Sequence, residues 1–476
     1  MMNISEQKTS KLEIKGIDYI PENERNSTPL NVFFVIVGAQ FSYPIMLLGT
    51  LPVIFGLGWW SSFFALTVGL LIGSIIIGPI AALGTKTGTN SIVSSGAHFG
   101  TRGRVISSVL TIFIGLGFYA LAIWTGAQSL AFGSHRLFNW EVGTGTLVIG
   151  AVIITAITIA AAIYGQSIVL SIEKFGTWIV GTLLVLSVIV FLPQFDVSYQ
   201  GGNYILGSFW PTWLLSVSVG LSLPISYTPF LNDYARYVPN KSDTRHIRLA
   251  TSLGMFVGCW ISLVIAAYLM TTLKTIDTPF VEGIIEQSPV WFTVPLILIG
   301  LFGSISQGSF ALYGSGLGLE SIGWGLKRIP TTIIVSIAAI VLIYLAVFVY
   351  NLIDAINGFV TIIIVAVSPW MAINLVGYYL FKGQYSPMEL HQSSNGKYWY
   401  SNGFNLPAVS SWVIAVIVGL LFTNTTVFVG PFSDAFGGID VSFVASAIVA
   451  LVLFYVFSKK SNGNIEKVAS DSNETA

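Results

Sequence analysis

Two stretches decide the fold: Gly38-Ala39-Gln40-Phe41-Ser42-Tyr43-Pro44, and Gly220-Leu221-Ser222-Leu223-Pro224-Ile225-Ser226-Tyr227-Thr228-Pro229. Each lies near the middle of a long apolar run. Each carries a glycine, a Ser-Tyr pair and proline. Proline removes a helix donor and clashes with the preceding turn, and glycine tolerates unwound backbone angles. A run interrupted in this way predicts a helix broken at mid-membrane, where half-helix ends offer dipoles to a solute. The alternative is that the prolines only kink these helices, which membrane helices tolerate.

The surroundings explain why a membrane is the setting. The chain has 476 residues, 54% of them in the hydrophobic class and only 9% Asp, Glu, Lys or Arg. A soluble domain carries about 25% charged residues, so this chain has too few to cover a water-exposed surface. Apolar runs of bilayer-spanning length recur along it. They are continuous and do not alternate with period two, so helices are expected and a barrel is not. Twelve spans are read at roughly 30–55, 60–85, 105–133, 143–163, 175–192, 210–232, 249–273, 290–319, 331–350, 357–380, 405–424 and 440–457.

The two interrupted runs are spans one and six, the first helices of two successive sets of five. An odd number of helices per set forces the second to be inverted in the membrane. The expected domain plan is an amino-terminal cytoplasmic tail at 1–29, a transporter domain at 30–457 and a carboxy-terminal cytoplasmic tail at 458–476. Inverted repeats are expected at about 30–192 and 210–380, with two extra helices at about 405–457.

Charge sets the orientation. With the amino terminus inside, nineteen of the 21 Lys and Arg residues fall on the cytoplasmic side, and only Arg136 and Lys274 fall outside. A multi-pass protein of the cell membrane with both termini cytoplasmic is expected. Formal net charge is zero, and no nucleic-acid partner is expected.

No Asp, Glu, Lys or Arg lies near the middle of any span. Intramembrane charge usually marks ion or proton pathways, so its absence argues against a carboxylate relay and a strongly charged solute. Asp233 and Arg236, at the inner end of span six, have the i, i+3 spacing of a local ion pair and are candidates for an inner gate. His98, His135, His246 and His391 fall in loops or near span ends, and Cys259, the single cysteine, reads as a small core residue. An intramembrane enzyme would need such groups clustered at depth, so no enzyme is expected, and no cofactor beyond a coupling cation.

What remains is amide, hydroxyl and aromatic chemistry. Span three reads Gly115-Leu116-Gly117-Phe118-Tyr119-Ala120-Leu121-Ala122-Ile123-Trp124-Thr125-Gly126-Ala127-Gln128, and span eight contains Gly303-Ser304-Ile305-Ser306-Gln307-Gly308-Ser309-Phe310-Ala311. Aromatic faces stack on flat rings, and amides donate and accept hydrogen bonds. The small residues also suit helix packing. Gln40 and Gln307 stand out because a buried amide must find partners.

These residues also carry a resemblance. The phrase Pro21-Glu22-Asn23-Glu24-Arg25, the loop Gly84-Thr85-Lys86-Thr87-Gly88 running to His98-Phe99-Gly100-Thr101-Arg102-Gly103, Trp124-Thr125-Gly126-Ala127-Gln128, Asn232-Asp233-Tyr234-Ala235-Arg236-Tyr237, and Gly430-Pro431 with Gly437-Gly438-Ile439-Asp440 resemble, in order, the nucleobase:cation symporter family in its purine–cytosine permease branch. The resemblance implies an all-α polytopic membrane protein. It would have twelve transmembrane helices in a LeuT-type five-plus-five inverted repeat, with two extra carboxy-terminal helices. It also implies symport of a neutral nucleobase-like ring with Na⁺ or H⁺.

Carried over by position, the resemblance places the span-one amide on Gln40, the stacking position of span three on Phe118 and the polar position four residues later on Ala122. The unwound part of span six falls on Pro224 to Tyr227, including Ser226, and two amide positions of span eight fall on Gln307 and Ala311. Ala122 and Ala311 depart from the family pattern at the ligand. A sodium site would draw carbonyls from about Ile36 and Ala39 and a hydroxyl from Ser306. Rival readings are a same-fold transporter of an amino acid, hydantoin, allantoin or vitamin-like ring, and a channel or receptor without flux.

Overall fold

The computed structural model describes residues 16–460 except 165, 323–324, 350, 393 and 395. Lys8, Lys11, Lys15 and Lys467, and most of the two expected tails, lie outside the described residues.

Ten described helices are long and apolar enough to cross a membrane, and a bent pair makes an eleventh span. The shorter apolar helix Leu406–Phe422 occupies the expected eleventh position in the chain. The order begins with α1 (Pro29–Gln40), α2 (Tyr43–Ile54), α3 (Trp59–Thr87), α4 (Ser91–Phe99), α5 (Val105–Phe138), α6 (Thr144–Tyr164) and α7 (Gln166–Phe191). It continues with α8 (Phe209–Tyr227), α9 (Leu231–Ala235), α10 (Thr244–Thr272), α11 (Phe280–Gln287), α12 (Thr293–Ser321) and α13 (Arg328–Tyr344). The tenth span is α14 (Leu352–Ile362), a π-helical turn at Ile363–Val367 and α15 (Ser368–Leu380), followed by α16 (Leu406–Phe422) and α17 (Ser442–Lys460).

One pattern runs twice. A broken first helix (α1–α2, then α8–α9) is followed by a long helix (α3, then α10) and a short non-spanning helix (α4, then α11). Three further spans complete each set. The two short helices are absent from the sequence reading, since nine and eight residues are too few to register as apolar runs.

Close backbone approach holds the bundle together, as expected where lipid removes the hydrophobic drive between helices. The pairing of α5 with α12 shows this. A Cβ at Gly308 would lie 3.4 Å from the Ala122 Cβ, and one at Gly115 would lie 2.8 Å from the Ala311 carbonyl oxygen. The α3–α8 contact has the same character, with Gly220 against the Leu66 backbone. Outward-facing Ile337, Ile340, Val341 and Ile448 are exposed, which suits helices bathed in lipid.

The amino-terminal segment packs back onto the bundle. Ile20 is buried and its N–H donates to Gly88 O at 2.9 Å. Arg25 is also buried and donates to Ile20 O and Thr85 O, each at 2.9 Å. From Gly16 onward the expected polar tail is therefore docked.

Candidate substrate and ion site

Span one breaks where the sequence predicts. The axes of α1 and α2 meet at 62°, with Ser42 extended at φ −154° and ψ 151° between them. The cause is local. Pro44 has no N–H to offer the Gln40 carbonyl, which instead accepts from Ser42 N at 2.9 Å and from the Ser262 hydroxyl of α10 at 2.7 Å. Pro44 sits in the first turn of α2, where no backbone donor is required. The break lies against α12: a Cβ at Gly303 would come 2.7 Å from Ser42 Cα and 2.9 Å from Phe41 O. One turn on, the Ser306 hydroxyl donates to Gly38 O at 3.4 Å. The buried Ser42 hydroxyl has no hydrogen-bond partner among the described residues.

Span six breaks later than expected. Pro224, Ser226 and Tyr227 all lie inside α8, and the interruption falls at Thr228–Phe230 before α9. The expected unwinding at Pro224–Tyr227 is therefore corrected. Ser222 and Ser226 donate back to Val219 O and Leu223 O at 2.7 Å each, supplying bonds within the helix around the proline. Pro229 is where helical bonding gives way. Thr228 N reaches Ile225 O and Phe230 N reaches Tyr227 O, both tightened i−3 contacts.

Gln307 and Tyr227 come together: the Tyr227 hydroxyl donates to Gln307 Oε1 at 2.9 Å. Tyr227 also packs on Phe310, with centroids 5.0 Å apart, and Phe310 stacks on Tyr234 at 5.2 Å. Phe118 is buried and meets Phe359 of α14 edge-on at 5.2 Å. Beside that pair, an apolar cavity of about 290 Å³ is lined by Phe113, Gly117, Ala120 and Leu121 of α5 together with Ala355 and Phe359. Ala122 and Ala311 lie at the α5–α12 contact and bring no side-chain polar atom.

Gln40 is not brought to Gln307. Its Nε2 donates to Ile36 O at 3.3 Å, and its Oε1 accepts from Cys259 Sγ of α10 at 3.2 Å. Gly258 leaves room for this, since a Cβ there would lie 3.0 Å from Gln40 Cγ. Ile36 O is thus engaged within α1, and the described contact to Ser306 comes from Gly38 O, one residue before Ala39.

Asp233 and Arg236 are buried at the inner end of the bundle. Asp233 Oδ1 accepts from Ser91 N at the start of α4 at 3.3 Å. Arg236 donates to Gly16 O at 2.7 Å and to the Tyr313 hydroxyl at 3.1 Å, tying the amino-terminal segment to α12. Nearby, His98 is fully buried between α4 and α15. Its Nδ1 is 2.9 Å from Asn374 Oδ1 and its Nε2 is 3.1 Å from the Tyr385 hydroxyl. Burial pushes its pKa from 6.5 down to about 4, opposed by the Asn374 bond.

Sequence reasoning missed Phe310, Phe359 and Tyr234. Phe310 and Tyr234 stood inside quoted stretches and Phe359 in none, and pairing across helices is not written in spacing along one chain.

Comparison with known proteins bears on the family and the fold. The sequence profile of the family described as "Permease for cytosine/purines, uracil, thiamine, allantoin" matches residues 19–445. The putative purine-cytosine permease YxlA of Bacillus subtilis (strain 168) is 28% identical over 472 residues, 97% of this chain and 100% of the relative. Among solved structures, Mhp1, a nucleobase-cation-symport-1 family transporter in a closed conformation with bromovinylhydantoin bound, aligns with a TM-score of 0.78 at 19% identity, covering 98% of this chain and 100% of that one. A Na⁺-coupled sialic acid symporter in a substrate-bound outward-open state aligns at 0.60 and 13% identity over 95% of this chain and 93% of that one. The LeuT-type architecture is therefore the fold of this protein, with ten long apolar helices, one bent pair and one shorter apolar helix among the described residues. The match along most of its length makes the chain a member of the family of permeases for cytosine, purines, uracil, thiamine and allantoin.

Proposed function

We propose that the chain imports a small neutral nucleobase-like heterocycle (a purine, cytosine or related ring) together with a cation, by alternating access across the cell membrane. One observation supports the reading: adjacent residues of α12 meet the two broken spans. Ser306 faces the carbonyl end of broken α1, and Gln307 holds the Tyr227 hydroxyl. A cation bound at the α1 end would order the helix that carries the ring-binding amide, which couples the two sites.

In this scheme Phe118 and Tyr227 stack on the ring and Gln307 hydrogen-bonds its edge. Ser306, Gly38 O and the unpartnered Ser42 hydroxyl offer oxygens to a hard cation such as Na⁺, which wants several. Arg236 and Asp233 close the inner side. The confinement of Lys and Arg largely to one set of loops supports cytoplasmic termini.

A second reading is favoured by Ala122 and Ala311. Neither side chain can hydrogen-bond, which supports a ring whose edge groups are placed differently from those of cytosine, such as a hydantoin, allantoin or a vitamin-like ring. An amino acid would instead compete through its carboxylate. Proteoliposomes loaded with the purified chain test all of these. Saturable uptake of radiolabelled purines, pyrimidines, hydantoins or pyridines is expected, driven by an imposed sodium or pH gradient. No saturable uptake of any heterocycle ends the proposal, and inhibition by amino acids alone moves it to the amino-acid rival.

A further inference from the structure

The bundle end opposite the amino-terminal segment is acidic. Its loops and helix ends carry Glu141, Asp196, Asp277, Glu282, Glu286, Asp354, Asp434 and Asp440. Against these stand two Lys or Arg residues, Arg136 at the end of α5 and Lys274 after α10. Both line a single cavity of about 330 Å³ between α5, the α10–α11 link and α11, together with His135, Asn139, Gln287 and Glu286. That volume is within the range of small-ligand sites.

The donors in this cavity have capacity to spare. Arg136 uses one Nη2 bond to Ser288 O at 3.2 Å, Gln287 Nε2 spends one N–H on Thr272 O at 2.6 Å while its Oε1 accepts from Lys274 N at 3.3 Å, and the described ion pairs include neither Arg136 nor Lys274. Glu286 is the one carboxylate in the lining, and Glu282 lies a turn earlier on α11. The lining therefore holds two permanent cations against one anion, in surroundings that repel anions elsewhere. The sequence neighbours of the lining residues supply the second observation. Phe138, Trp140 and Trp291 lie near them in the chain and are all exposed, and exposed aromatics of this kind gather at the level of lipid headgroups.

We propose that this cavity is an oxyanion site that takes a phosphate group, held by Arg136 and Lys274 with the Asn139 amide and the remaining N–H of Gln287. Guanidinium and ammonium both bind phosphate through charge-assisted hydrogen bonds. A phospholipid headgroup and free phosphate share this chemistry, and the interfacial aromatics favour the headgroup. Because α11 forms one wall and α5 another, the bound anion would tether the short helix to the bundle. This site is separate from the heterocycle site and stands whatever solute is carried.

The test uses the purified full chain in neutral detergent. Phosphatidylglycerol is titrated and its adducts read by native mass spectrometry. Inorganic phosphate is titrated in a second arm against chloride at equal ionic strength, with melting temperature as the readout. The double variant Arg136→Gln, Lys274→Gln should lose about 30-fold in affinity for the effective probe, from two cations at a lipid surface. Glu286→Gln should tighten binding several-fold, and Glu141→Gln should leave it unchanged. The paired swap Arg136→Lys, Lys274→Arg keeps both charges and should retain binding, which covers a double variant that melts early. A response in the lipid arm alone identifies a headgroup, and one in the phosphate arm identifies a free oxyanion. Equal behaviour of wild type and double variant towards both probes overturns the proposal.

Discussion

The Tyr227 hydroxyl and Gln307 Oε1 meet at 2.9 Å across the contact of α8 with α12. The phenol donates to one lone pair of the amide oxygen, and in the proposed site the Gln307 –NH₂ group would be the donor offered to the solute. A ring presented to it needs a carbonyl or ring-nitrogen acceptor on that edge. Tyr227→Phe leaves the amide oxygen unpaired and free to flip, and a site with a misdirected polar group loses about 1–3 kcal/mol. We expect KM for the transported ring to rise about 10-fold, and further in Gln307→Leu. Initial-rate uptake in proteoliposomes measures this, and an unchanged KM in both variants removes these residues from the site.

Ser306 tests the ion half of the scheme. Its hydroxyl is the described α12 side-chain contact to the carbonyl end of α1. Ser306→Ala should lower apparent cation affinity about 10-fold, roughly one charge-assisted contact, while uptake at saturating cation falls little. Ser306→Thr keeps the oxygen and should recover the wild-type dependence. A sodium titration of uptake at fixed pH, and a pH titration without sodium, together tell which ion responds.

Much of the fold was legible because the signals are local. Pro44 in span one removes a single donor, and the break follows at the expected place. Span six was misplaced because two prolines compete there, and local sequence does not say which one tertiary contacts will accommodate. Pro224 is absorbed within α8 with serine-to-carbonyl bonds around it, whereas Pro229 ends the helix. The site was legible only in part for a similar reason. Gln40 and Gln307 look alike in sequence, both buried amides in apolar runs. Gln40 faces Cys259 and Gly258, and Gln307 faces Tyr227. The helix that fills the space beside each amide decides its role, and that information lies more than two hundred residues away for Gln40.

Arg236 ties three elements of the inner end: its own α8–α9 segment, Gly16 of the amino-terminal segment and Tyr313 of α12. It is fully buried, and truncating one member of a buried charged network costs about 3–5 kcal/mol. Arg236→Ala should lower the melting temperature and release the amino-terminal segment. Limited proteolysis reads this directly, because cleavage near Gly16 should quicken far more than cleavage in the α16–α17 loop. Tyr313→Phe removes one of the described bonds and should give a smaller change in the same direction. Equal protection of the segment in wild type and Arg236→Ala would falsify the seal.

His98 sets a pH limit on the inner end. Asn374 Nδ2 donates to Trp370 O at 2.9 Å, so Asn374 Oδ1 is the atom turned to His98 Nδ1, which must carry the proton. Nε2 is then the acceptor for the Tyr385 hydroxyl, and the imidazole is neutral in the fold. The unfolded chain takes up a second imidazole proton near 6.5, whereas the fold refuses it until about 4. In that window the unfolded state binds more protons, so stability falls as pH falls. The loss grows to the order of 2–3 kcal/mol by the lower limit, and above 6.5 the term vanishes. His98→Gln should be less stable than wild type near neutrality, since Gly377 packs directly on the ring. Its thermal stability should nonetheless decline more gently with acid, because the group that titrates is gone. Melting curves of both proteins from neutral to acid pH decide the matter: parallel slopes would mean that another group carries the acid sensitivity.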